Sequence, residues 1–181
     1  MSDAPSDDDR RHDDRRHDDP SDDDSPTADR LVETIHATGH EHVTAAHAST
    51  FEFTTDDWLT PAGDCILAVG ADRTPRDFDP AFKRACRDVD ATITATITVE
   101  MAETTHEETP ETAHEETIVG RGDPGLTLVD DRSMVGRTSD YTDDERTILV
   151  DADKAAADLD RDLVAALADG ADATLRLVVE H

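Results

Sequence analysis

The feature that most constrains the fold of this chain is an internal repeat. Residues 33–39 align with residues 116–122, and without a gap the alignment then sets Asp57-Trp58 on Asp140-Tyr141. After a small shift in a loop, Asp77-Phe78-Asp79 falls on Asp158-Leu159-Asp160. Because the order and the near-constant spacing of the matches run through both halves, the pattern predicts a duplicated structural unit. The alternative is chance matching in a chain rich in Ala, Asp and Thr.

Each half then helps to assign the secondary structure of the other. Asp79 and Pro80 form an N-cap and first-turn pair, so a helix is expected from Pro80 to about Arg87. Its counterpart is expected to begin near Asp160, or as early as Asp153 through the alanine run, and to end before Gly170. Alternating apolar and polar residues predict strands at 31–38, 43–54, 65–70, 91–101 and 173–180.

Each unit is therefore expected to contain three strands, a helix and a further strand. One such unit is too small to bury its own sheet, so the two copies are expected to pack about a pseudo-twofold axis. The predicted fold class is α+β and mostly β, as an internally duplicated barrel or sandwich. The single domain is expected at residues 31–181, with repeat one at about 31–101, an acidic connection at 102–115 and repeat two at about 116–181. Residues 1–30 have no apolar face and are predicted to be a disordered acidic tail.

The charge of the chain indicates a protein that works in molar salt. It contains 45 acidic and 17 basic residues, for a net charge of -28, and its lysines are Lys83 and Lys154. Concentrated salt screens the repulsion that such a charge would otherwise produce. The composition therefore predicts a halophilic, archaeal protein. It also argues against a nucleic-acid partner, because that binding depends on Lys and Arg neutralising phosphates.

Other features of the composition bear on location and partners. The two cysteines, Cys65 and Cys86, are too few for a disulfide framework, so free thiols are expected. The sequence has no apolar run of transmembrane length, and the arginine pairs in the tail are not followed by an apolar export segment. A cytoplasmic protein without a membrane partner is predicted. The sequence leaves its partners and oligomeric state open.

Three histidines near the start of the first unit are candidate ligands of a metal ion. His40, His42 and His47 follow Gly39, and a loop there could gather them with Asp123, since imidazole and carboxylate groups suit zinc or another divalent cation. In the internal alignment, His40 falls on Asp123. The spacing His-x-His-x4-His matches no standard metal motif, so surface histidines beside an acidic loop are the alternative.

Two further sets of residues could carry chemistry. Cys65 follows a Pro-Gly turn and could be a nucleophile with His47 as its base, although a half-buried structural cysteine is the simpler interpretation. Arg73 and Lys154 occupy related positions after a strand in each half. They could bind an anionic ligand, or Lys154 could act as a general base, but capping Asp residues with neighbouring surface cations would leave the same pattern.

The chain also resembles an archaeal family known as domain of unknown function 371. The resemblance rests on Gly39-His40 with His47 and continues through five further segments, at residues 59–66, 121–128, 137–140, 146–149 and 152–156. It extends from about Ile35 to the C-terminus, without the acidic tail and the insertion at 103–116. The resemblance implies that His is common in the family where this chain has Asp123 and Asp130, and this departure weakens the case for an all-histidine site. The resemblance implies no activity.

Two functions follow as hypotheses. The first is a binding module that holds a small anionic ligand or partner at the loops with His40, His47, Asp123, Arg73 and Lys154. The second is a metal-assisted hydrolase, in which His40, His47 and Asp123 hold a divalent metal and Asp64 acts as base. Convergence of these side chains in one cleft would favour the enzyme, and their dispersal over the surface would favour binding or a structural role.

Overall fold

The computed structural model describes residues 30–100 and 113–181. Nearly all of the predicted acidic tail and most of the predicted connection lie outside these ranges. None of the helices within the described ranges combines the length and the apolar character needed to cross a bilayer.

The same order of elements occurs in both halves of the described chain. Three strands are followed by a short 3₁₀ helix, an α-helix and a fourth strand. The first half contains β1 Leu31–Thr38, β2 Thr50–Thr54, β3 Ile66–Ala68, the 3₁₀ helix Pro75–Asp77, α1 Pro80–Cys86 and β4 Thr92–Val99. The second half contains β5 His114–Arg121, β6 Ser133–Arg137, β7 Thr147–Leu149, the 3₁₀ helix Ala156–Asp158, α2 Arg161–Ala168 and β8 Asp172–Glu180. The prediction of a β-rich α+β fold is confirmed.

Two predicted elements begin well after the earliest expected residue. The strand expected at 43–54 forms only at Thr50–Thr54, and the buried Ala45 before it has a φ of 45°, in the left-handed region that interrupts a strand. The second helix does not extend back to Asp153. The Asp160 carboxylate caps α2 by accepting from the backbone N–H groups of Asp162 and Leu163, which starts the helix there.

The strands form two four-stranded sheets. The first has the order β1-β8-β4-β5 and is antiparallel throughout. The second has the order β3-β2-β6-β7, in which the central pair β2–β6 is antiparallel and the two outer pairs are parallel. Isolated bridges link Thr38 to Val69 and Arg121 to Val150. The end of each edge strand of the first sheet is thus bonded to the residue that directly follows an edge strand of the second sheet.

The central pair of the second sheet separates the core from a polar outer face. Phe51 and Phe53 of β2 point into the core and are fully buried. Phe51 lies opposite Gly136 of β6, where an added Cβ would come within 2.1 Å of the Phe51 ring, so a larger residue there would displace this buried ring. Because side chains alternate along a strand, Glu52 lies on the opposite face, beside Val135. That face carries the candidate site.

Candidate functional site: a polar cleft on the second sheet

A cleft of about 550 Å³ lies over the outer face of β2 and β6. We call it the Glu52 cleft. Its walls come from the loop after β2, from the segment before β6 and from the residue just before β7. The lining residues are Glu52, Thr54, Asp56, Trp58, Leu59, Thr60, Ala62, Gly63, Ile66, Asp130, Arg132, Ser133 and Arg146.

Glu52 is the most buried charged residue of the cleft, at 9% exposure. One carboxylate oxygen accepts a hydrogen bond from the Cys65 thiol at 3.3 Å, and the other lies 3.6 Å from a guanidinium nitrogen of Arg146. A thiol is a weak donor, and 3.6 Å is too long for a hydrogen bond. The carboxylate therefore keeps acceptor capacity that a ligand in the cleft could use.

Two arginines stand at the more exposed part of the cleft. The Arg132 guanidinium donates two hydrogen bonds to one oxygen of Asp56, at 3.0 and 2.6 Å, and its side chain is 60% exposed. Arg146 is 43% exposed and contacts Glu52 and Asp144. A guanidinium has five N–H donors, so each arginine retains donors for a further acceptor.

Asp144 holds Arg146 in place from outside the cleft. Its carboxylate accepts from the Thr147 hydroxyl and backbone N–H at 2.6 and 2.9 Å, and it forms ion pairs with Arg137 and Arg146. Burial alone would raise the pKa of Asp144, but the Thr147 hydroxyl and the Arg137 charge together hold that pKa below its ordinary value. Asp144 is thus ionised at neutral pH and attracts Arg146.

β2 and β6 end in different residues. β2 ends in the small Thr54, and Trp58 beside it is 56% exposed. β6 ends in Arg137, whose guanidinium lies 5.0 Å from the centre of the Tyr141 ring and pairs with Asp144. The Glu52 cleft thus lies beside an aromatic ring that is open to solvent.

Cys65 acts as a hydrogen-bond donor in this arrangement. Burial raises the pKa of its thiol to about 11, and the charge of Glu52 adds to the rise. The thiol is therefore protonated at neutral pH, whereas a nucleophilic cysteine must be a thiolate. His47 is the base suggested for this thiol. The Nδ1 atom of His47 lies 2.9 Å from the Thr50 hydroxyl, and it accepts hydrogen bonds from the backbone N–H groups of Thr50 and Ser49. The geometry gives the nucleophile hypothesis no support.

The residues predicted as metal ligands lie in separate local arrangements. His42 donates its backbone N–H to Nδ1 of His40 at 3.1 Å, and the two rings lie 5.2 Å apart. Asp123 forms an ion pair with Arg121 at 3.3 Å and accepts from the backbone N–H of Gly125. Across residues 30–100 and 113–181, no three His, Cys, Asp or Glu side chains are grouped so that they could hold a metal ion.

Two close glycine contacts position the loops of His40 and Asp123. An added Cβ at Gly39 would come within 2.0 Å of the Leu167 carbonyl oxygen in α2. At Gly122 it would come within 2.5 Å of the Cys86 carbonyl oxygen in α1. The two loops therefore follow opposite edge strands of the first sheet and pack against different helices.

The predicted ligand-binding cations are engaged within the protein. Arg73 pairs with the buried Glu33 of β1, and Lys154 donates to Glu116 of β5 at 2.7 Å. The hydrogen bond to Glu116 raises the pKa of Lys154. Asp64, the suggested base, contributes its carbonyl oxygen to the backbone N–H groups of Ala46 and His47.

Sequence reasoning did not single out the residues that meet in the cleft. On an alternating strand, Glu52 resembles any solvent-facing carboxylate, and nothing local shows that loops cover it. Arg132 is separated from Glu52 by about half of the chain. One signal was available: five cleft residues fall within 59–66, and Arg146 begins another of the segments that carry the family resemblance.

Comparison with known proteins relates this chain to a family and to an archaeal relative. A family model described as a domain of unknown function, DUF371, matches residues 35–180. An uncharacterized protein of Methanocaldococcus jannaschii is 34% identical over 145 residues, which cover 80% of this chain and 97% of the relative.

Proposed function

This chain belongs to the DUF371 family, and we propose that it is a binding module for a small anionic ligand held in the Glu52 cleft. One observation carries the proposal: the partly exposed guanidinium groups of Arg132 and Arg146 line the same concave site. Arginine suits this role because its planar fork matches the oxygens of a carboxylate or phosphate. A volume of about 550 Å³ lies in the range of small-molecule sites.

The loops proposed from sequence receive less support as the place of binding. Arg73 and Lys154 are both paired with glutamates, so an anion would have to compete with those carboxylates. Arg121, the cation next to Asp123, is likewise held by Asp123 and Asp151. We therefore propose the Glu52 cleft, rather than these loops, as the ligand-binding site of the module.

The metal-assisted hydrolase remains the less supported alternative. It needs His40, His47 and Asp123 around one ion. His47 is bound to Thr50 and Ser49, while Asp123 is bound to Arg121 and Gly125. No observation in the described residues favours it.

We also infer that the domain arose by internal duplication of a β-β-β-α-β unit. The identical element order supports this inference, and so do unusual backbone positions. The buried Ala45 and Leu128 lie six residues after the aligned Gly39 and Gly122, and both have positive φ, at 45° and 53°. Gly70 after β3 and Asp151 after β7 share this feature, at 65° and 48°.

The arrangement of the sheets supports a pseudo-twofold barrel rather than an open sandwich. Exchanging the strands of the two halves turns each sheet order into itself read backwards. The bridges Thr38–Val69 and Arg121–Val150 join both edges of the first sheet to the second. A closed arrangement of this kind leaves fewer unpaired strand edges.

A direct binding measurement tests the proposed function. The probe is 3-phenylpropionate, a small carboxylate with an apolar body, titrated into the full chain in concentrated KCl and followed by calorimetry and by Trp58 fluorescence. We expect saturable binding that weakens at least tenfold in Arg146→Gln and in Arg132→Gln, since each loses donors to the anion.

The matched control is Arg84→Gln, which removes the same charge from an exposed position on α1 that does not line the cleft. It should bind the probe as the parent protein does. Absence of saturable binding, or an equal loss in the control, would contradict the proposed site.

A further inference from the structure

The Glu52 cleft is lined by negative as well as positive side chains. Glu52, Asp56 and Asp130 contribute three carboxylates, against the two guanidinium groups of Arg132 and Arg146. Building on the proposed function, we propose that the ligand is a zwitterion with an apolar body, of the α-amino-acid type. Its ammonium group would face Glu52, its anionic group the two arginines, and its apolar part Trp58.

The ammonium position follows from the state of Glu52. This carboxylate is nine-tenths buried, and its partners are a thiol and a guanidinium beyond hydrogen-bond distance. An anion on the cleft floor would meet the like charge of Glu52. Because Glu52 is buried, water would screen the repulsion between the two charges only weakly. An ammonium group there would instead supply the strong donor that Glu52 lacks in the unliganded protein.

The anionic position follows from the arrangement around Arg146. Asp144 draws this guanidinium from one side, and Glu52 lies 3.6 Å from it on the other. A ligand with a positive charge alone would be repelled by Arg146 as it approached Glu52. A carboxylate and an ammonium on one carbon match a guanidinium and a carboxylate that stand this close together.

The apolar part follows from the remaining wall. Trp58 is 56% exposed, and Leu59 and Ile66 line the same cleft. An exposed indole beside charged groups offers both apolar contact and a face for a cation. This surface gives an amino acid with an apolar side chain an advantage over glycine.

Three probes of one shape separate the contributions. L-phenylalanine carries both charged groups, 3-phenylpropionate lacks the ammonium, and 2-phenylethylamine lacks the carboxylate. We expect L-phenylalanine to bind the full chain in concentrated KCl at least tenfold more tightly than either of the others. Glu52→Gln should lower its affinity to about that of 3-phenylpropionate, whose own affinity should not fall.

The outcomes distinguish this inference from the function on which it rests. If 3-phenylpropionate binds as tightly as L-phenylalanine and needs the arginines, the zwitterion is wrong and the anion site stands. If none of the three binds, or only 2-phenylethylamine does, both are wrong. Should Glu52→Gln fail to fold, Trp58→Ala provides the second variant: it should weaken L-phenylalanine at least fivefold and glycine not at all, and equal loss for both would overturn the apolar position.

Discussion

At the scale of single residues, Asp144 links the fold to the cleft. Its carboxylate accepts from Thr147, which begins β7, and pairs with Arg137, which ends β6. The same carboxylate pairs with Arg146, whose guanidinium reaches the cleft. One partly buried acidic residue thus connects two strand ends and sets the position of a proposed ligand-binding side chain.

The lowered pKa of Asp144 makes its contribution to stability depend on pH. Asp144→Asn should lower the free energy of unfolding at pH 7 by about 1–3 kcal/mol, since hydrogen bonds to a charged group are lost. Because the folded pKa lies below the unfolded value of 3.8, the contribution of the ionised group is present above pH 3.8 and is lost as the pH falls through the folded pKa. Urea unfolding at pH 7 and at pH 3 measures this difference.

Comparison of variant with parent at each pH cancels the titration of the many other carboxylates. Asp140→Asn is the control, because Asp140 is an exposed carboxylate of the same loop and should have little effect at either pH. A stability gap between Asp144→Asn and the parent that stays constant down to pH 3 would contradict the assigned role.

At the scale of elements, two glutamates tie the first strand of each half to a helix. Glu33 of β1 accepts from the backbone N–H of Asp79 at the start of α1 and pairs with Arg73. Glu116 of β5 accepts from the backbone N–H of Asp160 at the start of α2 and pairs with Lys154. These contacts explain why a cation recurs in both halves without being available to a ligand.

The two ties should differ in strength because they differ in burial. The side chain of Glu33 is 4% exposed and that of Glu116 is 17% exposed. We expect Glu33→Ala to lower the free energy of unfolding by about 2–4 kcal/mol and Glu116→Ala by about 1–2 kcal/mol, since removing a more buried partner leaves a larger unsatisfied charge and donor. Urea unfolding in constant KCl tests the order, and an equal or larger loss for Glu116→Ala would show that burial does not decide it.

At the scale of the whole molecule, a net charge of -28 on 181 residues dominates the response to salt. Mutual repulsion among carboxylates opposes the compact state and is weakened when the Debye length falls to about 3 Å in 1 M salt. The described ion pairs are mostly at the surface and offset little of this charge. Stability should therefore rise as KCl is added.

Thermal unfolding measures the effect directly. We expect the unfolding midpoint to rise by roughly 10 °C or more between 0.2 and 3 M KCl, where added salt screens repulsion and favours burial. A variant with Asp140, Asp143 and Asp169 replaced by Asn loses three exposed carboxylates and should depend less on KCl. A midpoint that is flat or falls with KCl in the parent chain would contradict the prediction of a protein adapted to high salt.

Local signals in the sequence determined several strands and helices, and with them the β-rich character of the fold. The strand Leu31–Thr38 was predicted to the residue, because alternation of buried and exposed side chains is a local property. The start of α1 was likewise predicted from the Asp79-Pro80 pair, since capping depends on adjacent residues. Such features need no knowledge of what lies across the molecule.

Tertiary structure decided which side chains meet. Pairing of β2 with β6 brings Arg132 to Asp56 across 76 positions of chain, and loops bury Glu52 on a strand face that alternation alone would assign to water. It also pairs Arg73 and Lys154 with glutamates about forty positions away, which turns apparent ligand-binding cations into internal ties. Contacts over such separations depend on the packing of the whole chain, so local sequence determined strands and helices of this protein and only the folded molecule determined its cleft.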